Sequence, residues 1–263
     1  MSRLALAVAV VLALPALARA DPPSSGVVIP RVPPGTPLRD FGAQLYAANC
    51  ASCHGANGEG VTSPPQRGSG DIRGMGPPLL GVGAQAADFY LRTGYMPLEN
   101  VGVQPRRSRV LFTDRQILAL VAYVASLGGG GPPVPTPHPE RGNVAEGLHL
   151  FTEHCAGCHQ VVGEGGFVTG AVAPPLEDAT STQIAEAVRI GPYVMPTFSE
   201  QTISNHQLDS IIAYVQASKE PHDPGGWGIG HIGPIPEGLV TWLLAAVVLV
   251  GVCLVIGERV KRG

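Results

Sequence analysis

Two six-residue stretches, "CASCHG" at 50–55 and "CAGCHQ" at 155–160, share one pattern: two cysteines three positions apart and a histidine directly after the second. A Cys-x-x-Cys pair alone admits several chemistries. It can close a disulfide or act as a redox dithiol outside the cytoplasm. It can supply half of a zinc site, but zinc needs four ligands and neither stretch offers a second cysteine pair. The adjoining histidine decides among these, because Cys-x-x-Cys-His is the attachment signature of a c-type haem. On one helical turn the two sulfurs can add to the vinyl groups along one porphyrin edge, and the next residue points its imidazole at the iron. Cys50, Cys53, Cys155 and Cys158 are therefore the expected covalent anchors of two haem c groups, with His54 and His159 as proximal iron ligands.

A sixth ligand must come from elsewhere in the chain. Apart from the initiator, the methionines are Met75, Met96 and Met195. Met96 and Met195 both precede a proline and both follow a Pro-Pro-Leu, so they are the expected distal ligands. Met75 has no counterpart in the second half and reads as loop packing. Histidine with methionine raises the iron's reduction potential relative to two histidines and fills both axial positions, which suits electron transfer. A ligating imidazole also donates its other N–H to an acceptor that fixes the ring. A carbonyl of the Pro-Pro turn can do this, which makes Pro78 and Pro175 the expected supports. The remaining histidines (His138, His149, His154, His206, His222 and His231) read as polar surface residues. Arg106, Arg107 and Arg109 form a basic cluster whose default reading is a solvated face, with haem propionates or an acidic partner as the alternative.

The elements that must position these residues are also written twice. Gly42, Leu45 and Tyr46 precede Cys50 by the same intervals at which Gly147, Leu150 and Phe151 precede Cys155, which predicts an amphipathic helix before each motif. "GPPLLG" (76–81) is echoed by "APPLED" (173–178), and each half closes on a similar helix, "QILALVAYVASL" (116–127) and "QLDSIIAYVQAS" (207–218). Thr113 and Asp114 are expected to start the first of these. The first unit has eight more residues than the second between its histidine and its Pro-Pro-Leu, and eight more between its methionine and its closing tyrosine. The expected fold is all-α, with a first domain over 37–128, a Gly/Pro-rich linker over 129–141 that is extended and semi-rigid, and a second domain over 142–220. Aromatic residues are only 5% of the chain, so each small domain needs a large apolar group to complete its core, and haem supplies one.

Residues 1–20 carry Arg3, an apolar run over Leu4–Leu14 and a small-residue end at Ala18-Arg19-Ala20. They read as a secretory signal, with a retained anchor as the alternative. A Gly-rich segment (221–238) leads to "LVTWLLAAVVLVGVCLVI" (239–256), an uncharged stretch that spans about 27 Å as a helix, close to the hydrocarbon thickness of a bilayer. Cys253 lies inside it and reads as a packing residue. Arg259, Lys261 and Arg262 follow in the tail (257–263), which the positive-inside rule places in the cytoplasm, with the haem domains outside. Charged residues are 14% and the net charge is -3, so nothing electrostatic favours nucleic acid.

With both motifs, "YMPLEN", "QILALVAYVASLGGG", "YVMPTFS", "IIAYVQ" and "PGGWGIGHIGPIPEGLVTWLLA" in view, the chain resembles the dihaem cytochrome c subunit of actinobacterial-type quinol–cytochrome c reductases, the cytochrome bc complexes. The resemblance covers nearly the whole mature chain. It implies two tandem class I cytochrome c domains plus a C-terminal transmembrane helix. It further implies a fixed subunit that takes electrons from a Rieske iron–sulfur protein beside a cytochrome b subunit. They pass on to a terminal cytochrome c oxidase, often in one supercomplex, with no substrate-transforming site on this chain. Many relatives keep an N-terminal membrane helix where this chain has a short segment. The rival readings are a free-standing or oxidase-associated membrane-bound dihaem carrier and, further off, a dihaem peroxidase.

Overall fold

The structure is a computed structural model that describes residues 26–61, 76–98, 104–219 and 234–262. The expected leader, Met75 and most of the Gly-rich segment before the C-terminal helix lie outside these residues. Helices dominate: α1 (Leu38–Asn49), α2 (Ala51–His54), α3 (Gly83–Arg92) and α4 (Asp114–Ala125) build the first unit, and α5 (Val144–His154), α6 (Ala156–His159), α7 (Ser181–Ile190) and α8 (Asn205–Lys219) the second. One departure from the all-α expectation is a small antiparallel ribbon of β1 (Gly166–Val168) and β2 (Ala171–Ala173) in the second unit, with Phe167 opposite Val172. Gly165 and Gly170, both at positive φ, lie just before β1 and at the hairpin turn, where a glycine carries no steric penalty.

Each unit is organised by the crossing of its first and last long helices, α1 on α4 and α5 on α8. The approach is set by a glycine in each copy. A Cβ on Gly42 would overlap the Ala119 carbonyl, and one on Gly147 would overlap the Ser210 carbonyl. This gives the repeated glycine a physical reason: only a residue without a side chain lets the backbones come this close. An aromatic pair flanks each crossing, Tyr46 with Tyr123 at 5.0 Å and Phe151 with Tyr214 at 5.3 Å between ring centroids. Leu45, Ile117 and Leu120 fill the first core; Ile203, Ile211, Ile212 and Val215 fill the second. As expected, Thr113 precedes the first closing helix, and its N–H is capped by the Gln116 side chain (2.8 Å).

The linker is docked more firmly than its composition suggested. The Gln85 N–H donates to Pro132 O at 3.1 Å, and the His138 N–H donates to Asp209 Oδ1 at 2.6 Å. Pro139–Arg141 turns as a 3₁₀ segment against α8. The linker therefore lies against both units. Beyond them, α9 (Pro234–Arg262) is longer than the expected 239–256 span, because the helix begins at Pro234 and runs on through the basic residues of the tail. Within its stretch from Gly238 to Arg262, an 18-residue window has a mean hydropathy of 2.9 and none of that window is buried, so the helix is long and apolar enough to cross a membrane.

Candidate haem-binding site

Both Cys-x-x-Cys-His stretches are held at the same bend. Helix α1 ends at Cys50 (φ -120°, ψ -33°) and α5 ends at Cys155 (φ -121°, ψ -36°). The Cys50 N–H donates to Tyr46 O and the Cys155 N–H to Phe151 O, both at 2.8 Å. The short turns α2 and α6 then carry the second cysteine and the histidine, closed by His54 N–H to Cys50 O and His159 N–H to Cys155 O, each 2.9 Å. One helical turn thus separates the thiols, as the sequence pattern required. Burial, with the neighbouring Cys53, pushes the Cys50 thiol up to about 12; burial, with the neighbouring Cys158, pushes Cys155 up to about 11. Both are held as neutral thiols in apolar surroundings.

The ring supports are in the Pro-Pro turns, one residue earlier than expected. His54 Nδ1 lies 2.8 Å from Pro77 O and His159 Nδ1 lies 3.0 Å from Pro174 O. A carbonyl can only accept, so Nδ1 carries the proton and Nε2 is left free of it. The expectation of Pro78 and Pro175 is corrected to Pro77 and Pro174. The second proline instead follows through to a loop bond, Leu79 N–H to Gly58 O at 2.7 Å and Leu176 N–H to Gly163 O at 2.8 Å. His159 is 9% exposed, and burial holds its imidazole below the ordinary histidine range, against the Pro174 carbonyl, which acts the other way.

In the second unit the expected residues converge. Cys155, Cys158, His159 and Met195 line one apolar cleft together with Phe151, Leu176, Ile184, Val188, Phe198 and Ile211. The cleft is not built by one unit alone. Phe89, Thr93, Tyr95, Gln104, Pro105 and Arg107 of the first unit form part of its wall. Five of these fall beyond α3, and Gln104, Pro105 and Arg107 lie after Met96, in the stretch where the first unit carries extra residues. Arg107 donates to Gln183 Oε1 at 2.9 Å, so it bridges the units besides belonging to a charged surface. His154, read as a surface residue, also lines the cleft, with its ring 5.9 Å from Phe198. In the first unit Met96 lies in a separate depression with Tyr95, Gln104, Pro105, Arg106, Arg109 and Leu111. That depression does not include Cys50, Cys53 or His54.

The units meet through equivalent helices, α3 against α7. Gln85 and Gln183 occupy the third position of each, and Asp88 and Glu186 the sixth. Arg92 binds both oxygens of Asp88 (2.9 and 3.0 Å) and reaches Asp114 at 2.8 Å. Glu186 is fully buried, and neither of its oxygens has a hydrogen-bond partner among the described residues. Burial first, and then the Asp88 carboxylate, pushes its carboxyl up to about 8; Arg92 opposes the shift.

Known proteins match this arrangement along most of the chain. A cytochrome c family profile covers residues 40–128, and a profile described as cytochrome c oxidase, cbb3-type, subunit III, covers residues 142–215. The cytochrome bc1 complex cytochrome c subunit of Mycobacterium tuberculosis is 39% identical over 226 residues, 83% of this chain and 77% of its own length. That of Corynebacterium diphtheriae is 36% identical over 235 residues, 83% and 80% of the two chains. The chain belongs to this family of cytochrome c subunits. A cbb3-type oxidase subunit, CcoP of Azospirillum, is similar at 27% over 204 residues, covering 70% of this chain and 62% of its own. The fold is thus two cytochrome c-type domains with a C-terminal apolar helix, and such domains carry covalent haem c.

Proposed function

We propose that this chain is the membrane-anchored dihaem cytochrome c subunit of a quinol–cytochrome c reductase, relaying electrons one at a time from a Rieske iron–sulfur centre towards a terminal oxidase. The observation that carries this reading is the second cleft, where two cysteines, a buried imidazole with its Nδ1 already engaged, and a methionine line one apolar space. The residues fit a porphyrin: the lining is apolar, as a macrocycle needs, and the same cysteine–histidine bend recurs in the first unit.

Cys50 and Cys53 in the first unit, and Cys155 and Cys158 in the second, would hold haem through thioethers. His54 and His159 would present Nε2 to iron, and Met96 and Met195 would close the opposite faces. The haem iron supplies a one-electron couple; the protein's part is to hold and tune it. Pro77 and Pro174 lock the imidazole planes. The apolar walls exclude water, and His54 with Met96, or His159 with Met195, would hold the iron without leaving a position open to oxygen or peroxide. Two such sites in one body carry an electron from donor to acceptor without a diffusing carrier. Helix α9 would fix them to the membrane with the haem units on the outer side, because Arg259, Lys261 and Arg262 follow the apolar stretch.

Mass spectrometry of the purified mature chain tests the cofactor count: two covalent haems are expected, and one or none overturns the relay. The ferric spectrum should show the weak sulfur–iron band at the red edge of the visible for both sites. The likeness of residues 142–215 to a cbb3-type oxidase subunit favours a second reading, an oxidase-associated carrier. Detergent purification separates the two: co-elution with cytochrome b and Rieske protein is expected, and co-elution with oxidase subunits alone would support the alternative.

A further inference from the structure

The Gln104 side chain makes two hydrogen bonds to one residue of the other unit. Its Nε2 donates to Val172 O at 2.7 Å, and its Oε1 accepts from the Val172 N–H at 2.8 Å. Val172 sits in β2 opposite Phe167 of β1. In an antiparallel pair such a residue either exchanges both bonds with its partner or turns both groups outward. Val172 turns them outward, and Gln104 takes both, as a neighbouring strand would. Without it, β2 would present an unpaired N–H and C=O beside an apolar cleft, which is costly.

The turn after β2 gives this clamp its consequence. Two residues beyond Val172 comes Pro174, whose carbonyl accepts from His159 Nδ1. On the other side of the ribbon, the Gly165 N–H donates to His159 O at 2.9 Å. The ribbon therefore brackets His159 at both its ring and its backbone, and its outer edge is held by a residue from the first unit. Gln104 stands in the part of the first unit with extra length relative to the second, and Pro105 next to it lines the same cleft.

We propose that Gln104 is a positioning residue for the His159 imidazole, so that the reduction potential of the second site is set in part by the first unit. The proposal rests on the reading of His159 as an iron ligand. Releasing β2 lets the Pro174 carbonyl drift from Nδ1–H, which weakens that bond and the electron donation of the imidazole. The reduced state is then favoured and the potential rises.

The test uses the full chain in its native membrane complex, with Gln104→Leu and Gln104→Glu. Leu keeps the bulk and removes both bonds. Glu keeps the acceptor for the Val172 N–H and loses the donor to Val172 O. Spectroelectrochemical titration should show one of two haem components moving upward in Gln104→Leu, by less in Gln104→Glu, with the other component unchanged. Amide exchange at Val172 should become about tenfold faster in Gln104→Leu only. Unchanged exchange in that variant means that no clamp exists. Faster exchange with both potentials unchanged, or with both moved equally, means that the clamp does not reach the imidazole; any of these overturns the proposal. A wild-type protein with fewer than two haem components would instead overturn the ligand reading, while the exchange result would still report on the clamp.

Discussion

The two units cross their helices at the same glycine and turn at the same cysteine, yet among the described residues their expected ligands are disposed differently. The second gathers Cys155, Cys158, His159 and Met195 in one cleft and borrows part of the wall from its neighbour. In the first, His54 is held by Pro77 while Met96 lies in a depression beside Pro105 and Arg109. Duplication preserved the bend that carries the cysteines, because its geometry is local. The loops beyond each Pro-Pro-Leu were free to diverge, and the longer one became a wall for the other unit. The two units are joined through this shared wall.

The largest expected effect separates the two sites. His159→Ala and His54→Ala should each remove one six-coordinate signal and leave the other, read from the reduced visible spectrum resolved by potential. If one substitution abolished both signals, the units would not be separable sites. Next comes the shared crossing. Gly42→Val and Gly147→Val should each destabilise their own unit by about 3 kcal/mol, because a side chain there meets backbone. Chemical denaturation followed at each haem band checks whether the damage stays in one unit.

The contact between the units carries its own pH signature. Glu186 is raised from its ordinary 4.5 to about 8 by burial and then by Asp88, with Arg92 acting against it. The folded protein therefore keeps a proton that the unfolded chain has lost. That contribution is fully present below about pH 4.5 and is lost as pH rises through 8. Stability should fall by up to about 5 kcal/mol across this window, and Glu186→Gln should remove the slope. Unfolding at pH 5 and pH 8 in both proteins measures it. The smallest effect sharpens a difference in backbone. After the histidine of each Cys-x-x-Cys-His turn the first unit has Gly55 (φ 81°, ψ 160°), while the second places Gln160 at φ 61°, ψ 165°, a region that strains any side chain. Gln160→Gly should stabilise the second unit by about 1 kcal/mol, seen as a higher midpoint in its unfolding alone.

The turns carrying the two cysteines and the histidine were legible from the sequence because spacing along one helical turn is what a sequence displays. Gly42 and Gly147 were visible as a repeat, and the structure supplies their reason in the carbonyls of Ala119 and Ser210. The ring supports were legible to within one residue: a Pro-Pro turn announces a fixed loop, but which carbonyl faces the imidazole depends on the path of the loop, hence Pro77 and Pro174 rather than Pro78 and Pro175. The β1–β2 ribbon escaped notice because three-residue strands among glycines carry no periodicity. Likewise, Arg107 looked like one of three solvated arginines until Gln183 was found opposite it.

By itself, then, the sequence determined what acts over a few residues: two thiols and an imidazole on one turn, amphipathic helices before and after them, a long apolar helix near the end. Only the tertiary structure decided what acts across the chain: the docking of α3 on α7, the burial of Glu186 beside Asp88, and the reach of Gln104 to Val172. The physical reason is range. Spacing along a helix is set by the backbone's own geometry, whereas a hydrogen bond between residues far apart in sequence exists only once packing has brought two separately folded surfaces together.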